Sequence, residues 1–268
     1  MYNDYDRLSR MLDIDALQQC NSGYIDAEDC SWYHKNWVKL RQLGLVSNPF
    51  WHEQFFLQQL KKYALFPNNK ILVLGTADFS MPYLSMLAGI DELSISDICL
   101  TPLNICNFIA KKEGYKWNTF VGDIRESFDH QFDIIVNDAF LTRFPHEETK
   151  IIMMQIYKRL RLGGKYITTI RIGGNQGEAV VPSSDEKEMF ISRAIKRSKE
   201  LKVDFSDLMA QQAAQNYIEN MISYSLLNDE TLWQLCKDIF SIEYIDSAKV
   251  PGECVESEYR RVVFSKIY

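Results

Sequence analysis

Three acids stand directly after short apolar runs: Asp97 after Leu93-Ser94-Ile95-Ser96, Asp123 after the run ending Val121-Gly122, and Asp138 after the run ending Val136-Asn137. A carboxylate at a strand end can accept two charge-assisted hydrogen bonds from one ligand. A fourth run, Ile71 to Leu74, ends at Gly75, then continues through Thr76-Ala77-Asp78 into a helix start near Ser80 to Pro82. Strand, glycine turn and helix N-terminus let backbone approach a ligand closely while the helix dipole faces it. Away from these runs, Tyr33 and His34 form a polar-aromatic cluster with Trp32. An imidazole there can act as a base, since its ordinary pKa lies near neutrality; His52 is a second choice. Arg143 and Arg171 offer guanidinium groups that hold carboxylate or phosphate in fixed geometry. Each residue also has a plainer reading: helix cap, core histidine, or surface ion pair.

The elements that must position these groups alternate strand and helix. Residues 70–75, 93–96, 116–121, 132–136 and 165–172 read as strands. Helices follow at about 80–89, 102–113 and 146–161, the second capped by Thr101-Pro102 and stopped by Gly114, and Gly163-Gly164 reads as the turn into strand five. Such repeats predict an α/β fold, a doubly wound parallel sheet covered on both faces. Beyond Arg171 the glycine-rich segment 173–177 falls at the C-terminal edge, where ligands of such sheets bind. A long helical stretch, about 184–238, precedes two strands, 242–247 and 259–267, joined without a helix, which predicts an antiparallel pair at one edge. Ahead of the sheet, three helical patterns rich in aromatics, separated by a polar break at 21–30 and closed at Pro67-Asn68-Asn69, give an expected helical cap over residues 1–68. The sheet domain then covers 69–268, with a helical insertion at about 178–238.

Composition narrows the partners. The 268 residues are 46% apolar with a net charge of −6, enough chain for a large core and the wrong sign for a nucleic-acid backbone as main partner. No run approaches the ~20 apolar residues of a bilayer span, and Met1 to Arg10 has no signal-peptide core, so no membrane contact and a cytoplasmic location are expected. Six cysteines are scattered without a CxxC pair beside four histidines, so free thiols and no metal site are expected. The aromatic N-terminal region could also serve as a homodimer surface.

From residue 70 onward the order of elements resembles the class I S-adenosylmethionine-dependent methyltransferases. ILVLGTADFS (71–80) sits at the position of that family's first motif, retaining Gly75 but carrying Val73, Ala77 and Phe79 where the family has an acid and two further glycines. Asp97 stands 22 residues after Gly75, where the family's acid takes both ribose hydroxyls. Asp123 and Ile124 match the acid and apolar neighbour that hold adenine, and Asp138-Ala139 match the motif beside the methionine part. Arg161-Leu162-Gly163-Gly164 resembles the turn before strand five without its proline. The resemblance implies a seven-stranded, mostly parallel sheet whose last strand is antiparallel, S-adenosyl-L-methionine as cofactor, and Gly75, Thr76, Ala77, Asp97, Ile98, Asp123, Ile124, Asp138 and Ala139 around it. A compact small-molecule acceptor would then meet His34 or Tyr33 as proton acceptor and Arg143 or Arg171 as anion clamp. Two other readings stay open: different S-adenosylmethionine chemistry such as aminopropyl transfer, whose acidic pair after strand four has no counterpart in Ala139-Phe140-Leu141, and a non-catalytic binder. A nicotinamide reductase lacks its GxGxxG.

Overall fold

The computed structural model describes residues 2–20, 30–46, 49–64, 69–126, 130–173, 178–201, 203–252 and 256–267. The polar break at 21–29, the turn residues 67 and 68, and the glycine-rich positions 174–177 lie outside the described residues.

Seven strands form one sheet in the order β3-β2-β1-β4-β5-β7-β6. They are β1 (Ile71–Leu74), β2 (Glu92–Asp97), β3 (Lys116–Val121), β4 (Phe132–Val136), β5 (Leu160–Ile172), β6 (Phe240–Val250) and β7 (Ser257–Lys266). The first five run parallel; β7 pairs antiparallel with both β5 and β6, leaving β6 at the edge. All four β1 residues are buried, as a central strand covered on both faces requires. Ends of β1 and β2 are held in step because the Gly75 amide donates to the Ser96 carbonyl, 2.8 Å.

Strand five begins earlier than its sequence signal: Gly163 and Gly164 lie within β5 rather than ahead of it. The pairing with β4 jumps from Phe132–Leu160 to Ile134–Lys165, so extra residues bulge from β5. Gly163 has φ +77°, and a Cβ on Gly164 would lie 2.8 Å from the Arg161 carbonyl oxygen, so the bulge needs both glycines.

Helices α1 (Tyr2–Arg10), α4 (Glu53–Tyr63), α5 (Ser80–Leu87) and α6 (Leu100–Glu113) cover one face. Leu8, Phe56, Leu84 and Ile109 meet Val73 and Ile95 there. Helices α7 (His146–Arg159) and α10 (Asp229–Cys236) cover the other, where Ile156 and Leu235 pack on Leu72, Ile135 and Phe264. A third apolar cluster stands apart from the sheet faces. In it α3 (Ser31–Gln42) meets α8 (Ser184–Leu201) and α9 (Asp207–Asn220) through Trp37, Leu40, Phe190, Ala214 and Tyr217. The N-terminal helices therefore split: α1 and α4 join the sheet core, and α3 packs against the late helices. Among the described residues no helix is long and apolar enough to cross a membrane.

Candidate active site

A cleft of about 370 Å³ opens at the C-terminal ends of β1, β2 and β4 and is walled on its far side by α3 and α9. Its base is the turn after β1. Gly75 has φ +66°, and a Cβ there would come within 2.3 Å of the Phe140 ring. Only glycine fits, for conformation and for space.

Asp97 closes the same end. One carboxylate oxygen accepts from the Thr76 amide (3.0 Å) and the other from the Cys99 amide (2.8 Å). A carboxylate has about four acceptor positions, so each oxygen keeps capacity toward the cleft. Burial pushes the Asp97 pKa up to about 6; the nearby His34 and the two backbone hydrogen bonds oppose the rise. Thr76, Ala77, Ile98, Asp138 and Ala139 complete this end of the lining. Asp138 accepts from the Thr169 hydroxyl at 2.6 Å, and that hydroxyl oxygen accepts from the Ala139 amide at 2.9 Å. Ala139 itself has φ +51°, a left-handed conformation costly for a residue with a Cβ and held here by the β5 hydroxyl.

The non-glycine positions of the first motif have other work. Phe79 is fully buried and stacks on Tyr5 of α1, ring centres 4.6 Å apart. Asp78 is fully buried, accepts from the Tyr5 hydroxyl at 3.1 Å and the Ser80 amide at 2.8 Å, and pairs with Arg41 Nε of α3 at 2.9 Å. This loop thus anchors both α1 and α3 to the sheet. Arg41 and Trp37 also line the cleft, and nothing in their helical spacing set them apart from core positions.

Asp123 and Ile124 are not brought to the cleft lining. Ile124 is buried in the core beneath α7. The Asp123 carboxylate is engaged by Arg125, with side-chain contacts of 2.6–3.0 Å and its backbone amide at 2.8 Å. Burial alone would raise the Asp123 pKa, but the Arg125 hydrogen bonds outweigh it and hold the carboxyl below its ordinary value. The basic residue two positions on was the available signal.

Tyr33, Arg143, Arg171, Tyr217 and Tyr259 also line the cleft. The Arg143 guanidinium lies 5.2 Å from the Tyr33 ring centre and donates to the Ile222 carbonyl at 3.3 Å. Arg171 donates to the Ser223 hydroxyl at 3.2 Å. His34 lines the cleft too, but its Nδ1 lies 3.5 Å from Cys20 Sγ. His52 is buried against Tyr259, and its burial lowers its pKa. The expectation of no metal-binding group meets a different finding: Cys20, Cys30, His34 and Cys99, remote in sequence, place their ligand atoms within 4.8 Å of one another.

The fold as a whole matches known solved structures. The protein has the class I S-adenosylmethionine-dependent methyltransferase fold. A Methanosarcina mazei S-adenosylmethionine-dependent methyltransferase aligns over 78% of this chain and 97% of its own at 17% identity, TM-score 0.55. Magnesium protoporphyrin IX methyltransferase from Synechocystis, solved with bound S-adenosylhomocysteine (SAH), aligns over 88% and 96% at 11% identity, TM-score 0.54. The N-methyltransferase NodS from Bradyrhizobium japonicum, also solved with SAH, aligns over 88% and 98% at 12% identity, TM-score 0.52. No protein-family model matches the sequence, and no curated protein matches it by sequence.

Proposed function

We propose that the protein is an S-adenosylmethionine-dependent methyltransferase acting on a compact acceptor that carries an anionic group. The observation that carries this reading is Asp97: a strand-end carboxylate, fixed by two backbone donors beside the Gly75 turn, with acceptor capacity left toward the cleft. That donor-poor, acceptor-rich seat fits a ribose diol. Gly75 leaves room for close backbone approach, Ile98 offers an apolar surface, and Asp138-Ala139 flank the amino-acid portion. Asp123, engaged by Arg125, and the buried Ile124 are given no cofactor contact in this reading.

When bound, S-adenosylmethionine supplies a methyl group already activated by a sulfonium, so the chain's task is alignment and exclusion of water. Arg143 and Arg171 orient the acceptor by its anionic group, and the aromatic wall of Tyr33, Tyr217 and Tyr259 encloses its apolar body. Where the acceptor must lose a proton, Tyr33 as its phenolate, on the cleft lining beside the Arg143 guanidinium, receives it; His34, turned toward Cys20, is the weaker choice for that role. One fold neighbour is named for a porphyrin, an acceptor that is a small molecule rather than a polymer.

Calorimetric titration with S-adenosylmethionine and with SAH, beside NAD as a control, tests it. Both sulfur nucleotides are expected to bind in the micromolar range and NAD not at all. Binding of NAD alone, or of none of the three by folded protein, removes the assignment.

A further inference from the structure

Three thiols and one imidazole converge where α3 meets the sheet. Cys30 is the N-cap of α3, and His34 follows one turn later on the same helix. Cys99 is the N-cap of α6, two residues beyond Asp97, and Cys20 follows the short helix α2 (Ile14–Leu17). Cys30 Sγ lies 3.5 Å from Cys99 Sγ, Cys99 Sγ 3.9 Å from Cys20 Sγ, and Cys20 Sγ 3.5 Å from His34 Nδ1. All four atoms fall within 4.8 Å of one another.

These separations are those of ligands around one small ion. With Zn–S of about 2.3 Å and Zn–N of about 2.0 Å, a tetrahedral site has ligand edges of about 3.5–3.8 Å. A cluster of several irons would hold its cysteines farther apart. The surroundings suit thiolates as well. Two of the sulfurs sit at the N-termini of helices longer than two turns, where the dipole favours a negative charge. The Thr101 amide donates to Cys99 Sγ at 3.4 Å. The Thr101 hydroxyl oxygen accepts from the Gln19 amide at 2.9 Å, leaving its proton for Cys20 Sγ at 3.2 Å. Hydrogen bonds to sulfur of this kind orient and tune metal-bound thiolates.

We propose that Cys20, Cys30, His34 and Cys99 form a closed, mononuclear zinc site that pins the N-terminal segment and α3 onto the end of β2. Sulfur-rich tetrahedral coordination selects zinc over harder divalent ions. With all four positions filled by protein, the ion has no open position for substrate, so its role is to hold structure. Three ligands come from residues 20–34 and the fourth, Cys99, stands two residues past Asp97, the last residue of β2. Metal occupancy therefore couples closure of α3 over the cleft to the placement of Asp97. His34 then acts as a ligand through one ring nitrogen, which explains why it faces sulfur. The proposal does not depend on the methyltransferase assignment, and its readouts need no methyl transfer.

The test is elemental analysis of the full-length protein, purified without chelator from zinc-replete medium. About one zinc per chain is expected, released in step with mercurial titration of the thiols, and cobalt substitution should give the intense visible bands of a tetrahedral cobalt-thiolate site. Cys30→Ser and His34→Asn should each lower zinc content at least about tenfold, while Cys236→Ser, at a buried thiol in the core on the sheet's other face, should retain it. Wild-type protein below about one tenth of an equivalent, unable to take zinc from a chromogenic chelator, overturns the site. So do iron with acid-labile sulfide in place of zinc, or a disulfide among the three cysteines in protein kept under nitrogen.

Discussion

The ends of β2 and β3 carry the same sequence signal and have different fates. Asp97 and Asp123 each follow a buried parallel strand, and each corresponds to a position where the resembled family places a ligand-holding acid. At β2 the carboxylate is fixed by two backbone amides, with no arginine or lysine paired to it among the described residues, and burial raises its pKa against the opposing effect of His34. At β3 the carboxylate is met by the guanidinium two residues on, and its pKa falls. A strand-end acid by itself therefore does not leave a free acceptor. What decides is whether a neighbouring cation consumes its acceptor capacity before a ligand can.

Removing the two carboxylates separately gives the largest contrast. Asp97→Ala is expected to weaken S-adenosylmethionine binding by about 1.5–3 kcal/mol, the scale of hydrogen bonds to a charged group. Asp123→Ala should change the same affinity by less than about 0.5 kcal/mol while lowering the unfolding midpoint by a few degrees. Calorimetry with thermal unfolding on both variants reads this out. Equal losses of affinity would return Asp123 to the cofactor site.

Acidity sharpens the same contrast. The folded pKa of Asp97, about 6, exceeds its ordinary 3.8. The fold is therefore favoured by its protonation: this contribution is fully present below pH 3.8 and lost as pH rises through about 6. The upper bound is about 3 kcal/mol, at about 1.4 kcal/mol for each tenfold change in proton affinity. Ribose hydroxyls need the ionised acceptor, so cofactor affinity should run the other way, falling as pH drops below about 6. Asp97→Asn should abolish the pH dependence of affinity and raise the stability of the ligand-free protein at pH 7. An affinity unchanged between pH 7.5 and 5 in wild type would detach Asp97 from the ligand.

Much of this was legible in the sequence. Apolar runs ending in Gly75, Asp97 and Asp138, spaced by helical patterns, specify a parallel sheet and the edge at which the cleft lies, because strand period and glycine conformation are local properties. The β5 bulge was less legible, since Gly163-Gly164 reads equally as a turn or as a site of close backbone approach. Phe79 looked like a departure from a glycine pattern; that it and the neighbouring Asp78 anchor α1 and α3 is a tertiary fact that no window of the sequence contains. The Cys20, Cys30, His34 and Cys99 grouping was invisible for the same reason. Its ligands come from the N-terminal segment and from the end of β2, and metal-site signatures rely on close spacing. Splitting of the N-terminal helices between the sheet core and the late helices likewise depends on which faces meet, not on their periodicity.

The smallest expected effect tests why Asp123 differs. Arg125→Ala removes the side-chain partner and leaves the carboxylate its backbone bond from residue 125. The arginine side chain is about half exposed, so the ion pair contributes under about 1 kcal/mol after screening by solvent and salt. The sign follows from the lowered Asp123 pKa: the contribution exists above pH 3.8 and fades as pH falls through the folded value, so the variant should lose stability at neutral pH and lose nothing in acid. Cofactor affinity should stay within about 0.5 kcal/mol of wild type, because freeing the carboxylate does not carry it to the cleft wall. A variant that binds S-adenosylmethionine several-fold more tightly would give the opposite answer. The guanidinium would then be a competitor occupying the adenine acceptor, and the two strand ends would differ only in which cation reaches the acid first.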